Sequence, residues 1–208
     1  MIRPLADEAA SLRAEVSRLG IGLVIVDSLA PAAGAEPEGS DANIRTLNAV
    51  RSLGPITRLV LAHVRRADTE HRGPTRPFGS VFIWNLARSV WELRRSDDEP
   101  DDLVIGLYHR KVNRGRLHPP LSLRFAYTPD AVTIQSAGLA ESSDLLATTS
   151  VAYRITAMLK TGARPVSELV EEISATKDTI SRVLRRLAVK GKVVRLPDTD
   201  PTLWGVPV

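Results

Sequence analysis

Leu23-Val24-Ile25-Val26, closed by Asp27-Ser28, and Arg58-Leu59-Val60-Leu61-Ala62-His63 decide how this chain is read. Both are apolar runs without alternation, the pattern of parallel strands buried on both faces. Each ends on a polar residue. Parallel strands present ligands at their carboxyl ends, so neighbouring places in one sheet set Asp27 and His63 on one rim. Helical spacing precedes each strand. Ala9, Leu12, Val16 and Leu19 recur at three- and four-residue steps before Gly20. Ile44, Leu47, Val50 and Leu53 do so after the Ala-, Gly-, Pro- and Glu-rich loop 31–41. Helix, strand, helix, strand is the rhythm of an α/β fold with a parallel sheet.

Working outward, 64–78 is polar, with His71, Gly73, Pro74 and Pro77, and reads as a surface loop. Residues 80–87 predict a short helix and 89–93 a strand. The runs 103–111 and 121–127 predict a hairpin joined through Asn113-Arg114-Gly115-Arg116, and 132–134 a further strand. A first domain, 1–140, therefore ends in antiparallel strands. The small, polar stretch 137–149 reads as a linker to a second domain at 147–208. Trp84 and Trp91 are expected in cores.

Composition narrows the function classes. The 208 residues are 43% hydrophobic with a net charge of +4, which suits folded domains and not disorder. The absence of cysteine excludes disulfides, thiolate metal sites and a cysteine nucleophile. The four histidines lack metal spacing, and no G-x-S-x-G elbow occurs. A hydrolase unrelated to nucleotides is thus a distant reading. No apolar run approaches the roughly 18 residues of a membrane span. The opening Met1-Ile2-Arg3-Pro4-Leu5-Ala6-Asp7-Glu8 carries early acids and no apolar core of a signal peptide. A cytoplasmic protein with no membrane partner is expected.

Gly22 to Ser28, Val60-Leu61-Ala62-His63, Gly79-Ser80 with Ala87-Arg88-Ser89-Val90-Trp91, and Lys111-Val112-Asn113-Arg114-Gly115 occur in one order. In that order they resemble RecA-like ATPases of the RepA/DnaB helicase group, across residues 5–135. The resemblance implies a partial RecA-like fold: a mostly parallel sheet with helices and an antiparallel hairpin end. It implies that Asp27 supports Mg²⁺ beside ATP, with Ser28 next to it at the cofactor. His63 would couple phosphate state to the nucleic-acid loops. The family's Lys-x-Arg element reaches the neighbouring subunit's nucleotide. Lys111 matches its lysine, but Asn113 stands at the arginine position, and Arg110 or Arg114 is the substitute. Plainer readings stay open: a loop Asp27 capping the next turn, an exposed loop His63, and a solvated hairpin at Lys111 and Arg114. The basic loop 65–76, opened by Arg65 and Arg66, is the expected contact for single-stranded DNA. A homo-oligomer, hexameric in the family, is implied.

The P-loop pattern G-x-x-x-x-G-K-[ST] is missing. Gly191-Lys192 is followed by Val193, and it follows a helix where a P-loop opens one. In the resembled family the P-loop and the strand of the catalytic Glu come before the first helix read here. Truncation or outright loss explains this, and truncation is the favoured reading. ATP and Mg²⁺ belong to the full family; neither is expected to bind tightly to this chain alone, nor is ATP hydrolysis. An exposed apolar sheet edge is expected where those strands are lacking.

The segment 166–196 is the most specific. Thr176 is a good N-cap. Ile180, Val183, Leu184, Leu187 and Ala188 form one apolar stripe, while Lys177, Ser181, Arg182 and Arg185 lie opposite and Arg186 near the border. Asp178 is the only acid between Lys177 and Arg195. Such a helix suits the major groove of duplex DNA. Its amino-terminal residues, Thr179 among them, would face bases and its arginines phosphates, with Lys190, Lys192 and Arg195 at a wing. The pattern resembles winged helix-turn-helix domains of bacterial regulators across residues 148–208, a small α+β domain. A domain of this kind used only for protein contacts remains the alternative. Trp204 is expected to pack the wing on the helices. The whole reads as a fragment of a nucleic-acid-dependent RecA-like ATPase or helicase, of replication or mobile-element type, carrying a DNA-binding winged helix. The second reading is a DNA-binding regulator or adaptor whose α/β part only mediates assembly.

Overall fold

The computed structural model describes residues 3–34, 40–64, 75–77, 81–96, 103–139, 142–197, 199 and 201–207. Backbone contacts divide the chain into two units, Met1–Trp91 with Arg110–Leu117, and Glu92–His109 with His118–Val208.

In the first unit a single 3₁₀ turn at Leu5–Glu8 leads into α1 (Ala9–Leu19), which Gly20 ends in the left-handed conformation at φ 62°. Of its predicted stripe only Val16 is buried; Leu12 and Leu19 are exposed. β1 (Leu23–Val26) and β2 (Thr57–Val60) pair in parallel, Val26 opposite Val60. Between them lie α2 (Leu29–Ala33), inside the stretch expected as a loop, and α3 (Ser40–Ser52). Pro31 is tolerated in α2 because the first turn needs no amide donor there.

The expectation of strands buried on both faces is overturned. Leu23, Ile25, Leu59 and Leu61 are 50%, 57%, 52% and 40% exposed, while Val26 is buried. Alternate residues of paired strands share a face, so one face carries the exposed apolar set. The other holds Val24, Val26, Arg58 and Val60, on the side where Arg58 reaches the end of α3. Its Nε donates to Val50 O at 2.7 Å, and its Nη atoms to Arg51 O and Ile56 O at 3.0 Å and to Gly54 O. One guanidinium thus caps carbonyls that a helix end leaves without partners.

The expected mostly parallel sheet is likewise not what stands here. Among the described residues, parallel pairing is confined to β1 and β2. α4 (Val81–Leu86) is followed by β3 (Ser89–Arg95), β4 (Leu103–Val112), β5 (Leu121–Tyr127) and β6 (Val132–Ala137), a four-stranded sheet in sequence order. The β4–β5 and β5–β6 pairs are antiparallel, as the hairpin pattern predicted. The chain is therefore mixed α/β, with no larger RecA-like parallel sheet among the described residues.

In the second unit Val104 and Tyr108 of β4 pack with Leu139 and Leu145, joined by Tyr153. Tyr108 lies back over Gly106, where a β-carbon would sit 2.7 Å from its hydroxyl oxygen. That hydroxyl donates to Leu145 O at 2.6 Å in a fully buried setting. Leu145 belongs to α5 (Ser143–Ala147), within the stretch read as a linker. Its small residues suit close packing as well as they suit a flexible connection, and the burial of Leu139 and Leu145 makes it part of the core.

The remainder is α6 (Val151–Thr161), β7 (Arg164–Pro165), α7 (Val166–Ile173), α8 (Lys177–Val189), β8 (Val194–Arg195) and β9 (Leu203–Gly205). β9 is the central strand, antiparallel to β7 and β8. Ile155, Leu159, Leu169, Ile173, Ile180, Val183, Leu184, Leu187 and Val193 close one core, with Trp204 and Val206 packed on it.

Candidate functional site

Two sets of residues carry candidate chemistry, one in each unit. In the first, Leu61 N–H donates to Val26 O at 2.9 Å, and Leu29 N–H to Leu61 O at 2.8 Å. The chain beyond β1 thereby stays beside the chain beyond β2. Because the strands are parallel, Asp27 and His63 both follow carboxyl ends at one edge. Both side chains are exposed. Ser28 is buried at the start of α2. Asp27 and Ser28 bring one carboxylate and one buried hydroxyl to this edge. No group of three or more metal-ligating side chains occurs among the described residues. A protein-bound Mg²⁺ uses one or two carboxylates together with substrate phosphates, and no phosphate cradle is written in the sequence. These residues do not make a Mg²⁺–ATP site by themselves.

Arg65 and Arg66 lie outside the described residues. At the far end of that loop Arg76 sits over the ring of Trp84, 5.8 Å from its centroid. Trp91, expected in a core, is 44% exposed. Lys111, matched by resemblance to a group that reaches a neighbouring subunit, instead donates to Trp84 O, Asn85 O and Ala87 O at 2.8, 3.0 and 2.7 Å. Its three protons hold the last carbonyls of α4, where a cation also opposes the helix dipole. Arg114 is exposed in the turn beyond.

In the second unit, the site is α8. Arg154 on α6 donates to Ile173 O at 3.0 Å, and burial pulls its guanidinium below the ordinary arginine value. That bond fixes the end of α7. Ser174 then takes the left-handed conformation, φ 54°, and turns the chain into α8. The Thr176 hydroxyl accepts from Thr179 N–H at 3.3 Å, the predicted cap. The buried residues of α8 are Ile180, Val183, Leu184 and Leu187. Opposite them Lys177, Arg182, Arg185 and Arg186 are exposed, and Thr179 and Ser181 half-buried. Arg182 leans on the Thr179 hydroxyl at 3.5 Å. Lys190, Lys192 and Arg195 are exposed beyond the helix. The buried stripe leaves the cations nowhere to go but outward.

Sequence reasoning missed β7, the Arg58 cap and the Lys111 cap. A basic residue shortly after a predicted helix was the one available signal for the first of these caps. No helix among the described residues is long and apolar enough to cross a membrane. Compared with family models, curated proteins and solved structures, the chain finds no match.

Proposed function

We propose that this is a DNA-linked protein whose C-terminal part is a winged helix-turn-helix setting α8 into the major groove of duplex DNA. The carrying observation is α8 itself, with a buried apolar stripe on one side and exposed Lys177, Arg182, Arg185 and Arg186 on the other. The order α6–β7–α7–α8–β8–β9, with β9 central, supports this reading, because it leaves a helix pair and a β-ribbon around one core. Lys177, Thr179 and Ser181 would face base edges, Arg182 and Arg185 phosphates, and Lys192 the backbone beside the wing.

The test uses the full chain, because Tyr153 of α6 packs on the core of Val104, Tyr108, Leu139 and Leu145. Duplex binding is followed by fluorescence anisotropy over a salt series. Each phosphate contact contributes about 0.9 to the log–log salt slope. Arg182→Ala with Arg185→Ala should lower the slope by about 1.8 and weaken binding at low salt. Unchanged low-salt affinity rejects the assignment of α8.

For the part before the tail we infer a segment of a RecA-like ATPase or helicase that works in the cytoplasm as a homo-oligomer, hexameric in the resembled family. It is supported by the parallel pair that carries Asp27 and His63 to one edge, and by the order of the resembling motifs. The second reading, a regulator or adaptor assembled through its α/β part, is favoured by the exposed face of Leu23, Ile25, Leu59 and Leu61. Sedimentation with and without a single-stranded oligonucleotide separates the two. Assembly that depends on the single strand favours the ATPase segment, and assembly indifferent to it favours the adaptor.

A further inference from the structure

We propose that the turn after β4 is a second nucleic-acid contact, in which Arg88, Arg114 and Arg116 grip the phosphate backbone of a single strand. No acid lies between Asp102 and Asp130, while Arg110, Lys111, Arg114, Arg116 and Arg124 fall in that interval. The turn is built firmly. Gly115 takes φ 91°, which favours glycine. Asn113 N–H donates to Arg88 O at 2.9 Å, which holds the tip beside the start of β3. Lys111 is spent on the end of α4 and acts as a strut.

What remains for a ligand is three guanidinia. Arg88, Arg114 and Arg116 are all exposed, and none of their guanidinia has a hydrogen-bond or ion-pair partner among the described residues. Like charges on neighbouring stretches repel one another, and an anion relieves that cost. Two of them alternate along a turn and the third lies just before β3, where its carbonyl holds Asn113; three cations spread over two stretches of chain suit a chain of phosphates better than one phosphate. Arginine's fork suits phosphate oxygens. Trp91, three residues along from Arg88, is 44% exposed, and aromatic side chains beside a phosphate track stack on unpaired bases. None of these residues belongs to α8, so this contact and the duplex contact succeed or fail separately.

The full chain is titrated with labelled oligothymidylate over a salt series, and in parallel with duplex DNA. Single-strand contacts contribute about 0.7 each to the salt slope. Arg114→Ala with Arg116→Ala should lower the single-strand slope by about 1.4, leaving duplex binding through α8 and the thermal midpoint unchanged. Arg114→Lys with Arg116→Lys should keep the slope. If the alanine pair does not fold, Arg114→Gln with Arg116→Gln, which keeps the stems, gives the same reading. An unchanged slope in the neutral variants overturns the proposal. So does displacement of the oligothymidylate by tripolyphosphate at equal phosphate concentration, which would assign the tip to a nucleotide.

Discussion

The same kind of side chain meets opposite fates in the two units. Ile180 and Leu184 of α8 are 0% exposed, whereas Ile25 of β1 and Leu59 of β2 are more than half exposed. The stripe of α8 finds all its partners within α6, α7 and the small β9-centred sheet, a stretch in which contacts are local. The β1–β2 pair leaves the side chains of one face exposed. A parallel pair is found almost only with both faces covered. The difference teaches that α8 is placed by its own neighbourhood, while the β1–β2 face has an apolar side that its unit does not close.

Three variants sharpen the contrast. Leu184→Ala should cost about 3 kcal/mol, since a fully buried leucine leaves a cavity. Urea unfolding followed by far-UV circular dichroism checks it, and a loss below about 1 kcal/mol would mean that the tail core is not closed. Thr176→Ala should cost about 1 kcal/mol by removing the cap of α8. The same titration measures it, and a parallel loss of duplex affinity would tie the helix start to recognition. Ile25→Ser with Leu59→Ser should change stability by no more than about 0.5 kcal/mol and raise solubility. A large destabilisation, or a shift of the sedimentation coefficient to a smaller species, would reveal that this face is covered in solution.

Legibility followed the range of the interactions. The cap at Thr176, the stripe from Ile180 to Leu187 and the hairpin of β4 with β5 were readable, because their partners lie within a few residues or in a period. β7 was not readable. Arg164 and Pro165 are a strand only because Trp204 and Leu203 lie opposite them. Lys111 read as a free cation at a hairpin, yet its partners are the carbonyls of α4, more than twenty residues earlier. Arg58 sits in an apolar run and read as a strand residue, and only the fold reveals it as the cap of α3.

By itself the amino-acid order determined the longer helices and strands, though not α2, α5 or β7, that α8 has a basic side and an apolar one, and that no P-loop is written. Those properties depend on backbone preference and on period, which act along the chain. Only the tertiary structure decided that parallel pairing stops at β1 and β2 among the described residues, that this pair is bare on one face, and which arginines and lysines are tied down. An apolar run is the same whether one face or both are covered, and a cation's free or paired state depends on which carbonyls folding brings within its reach.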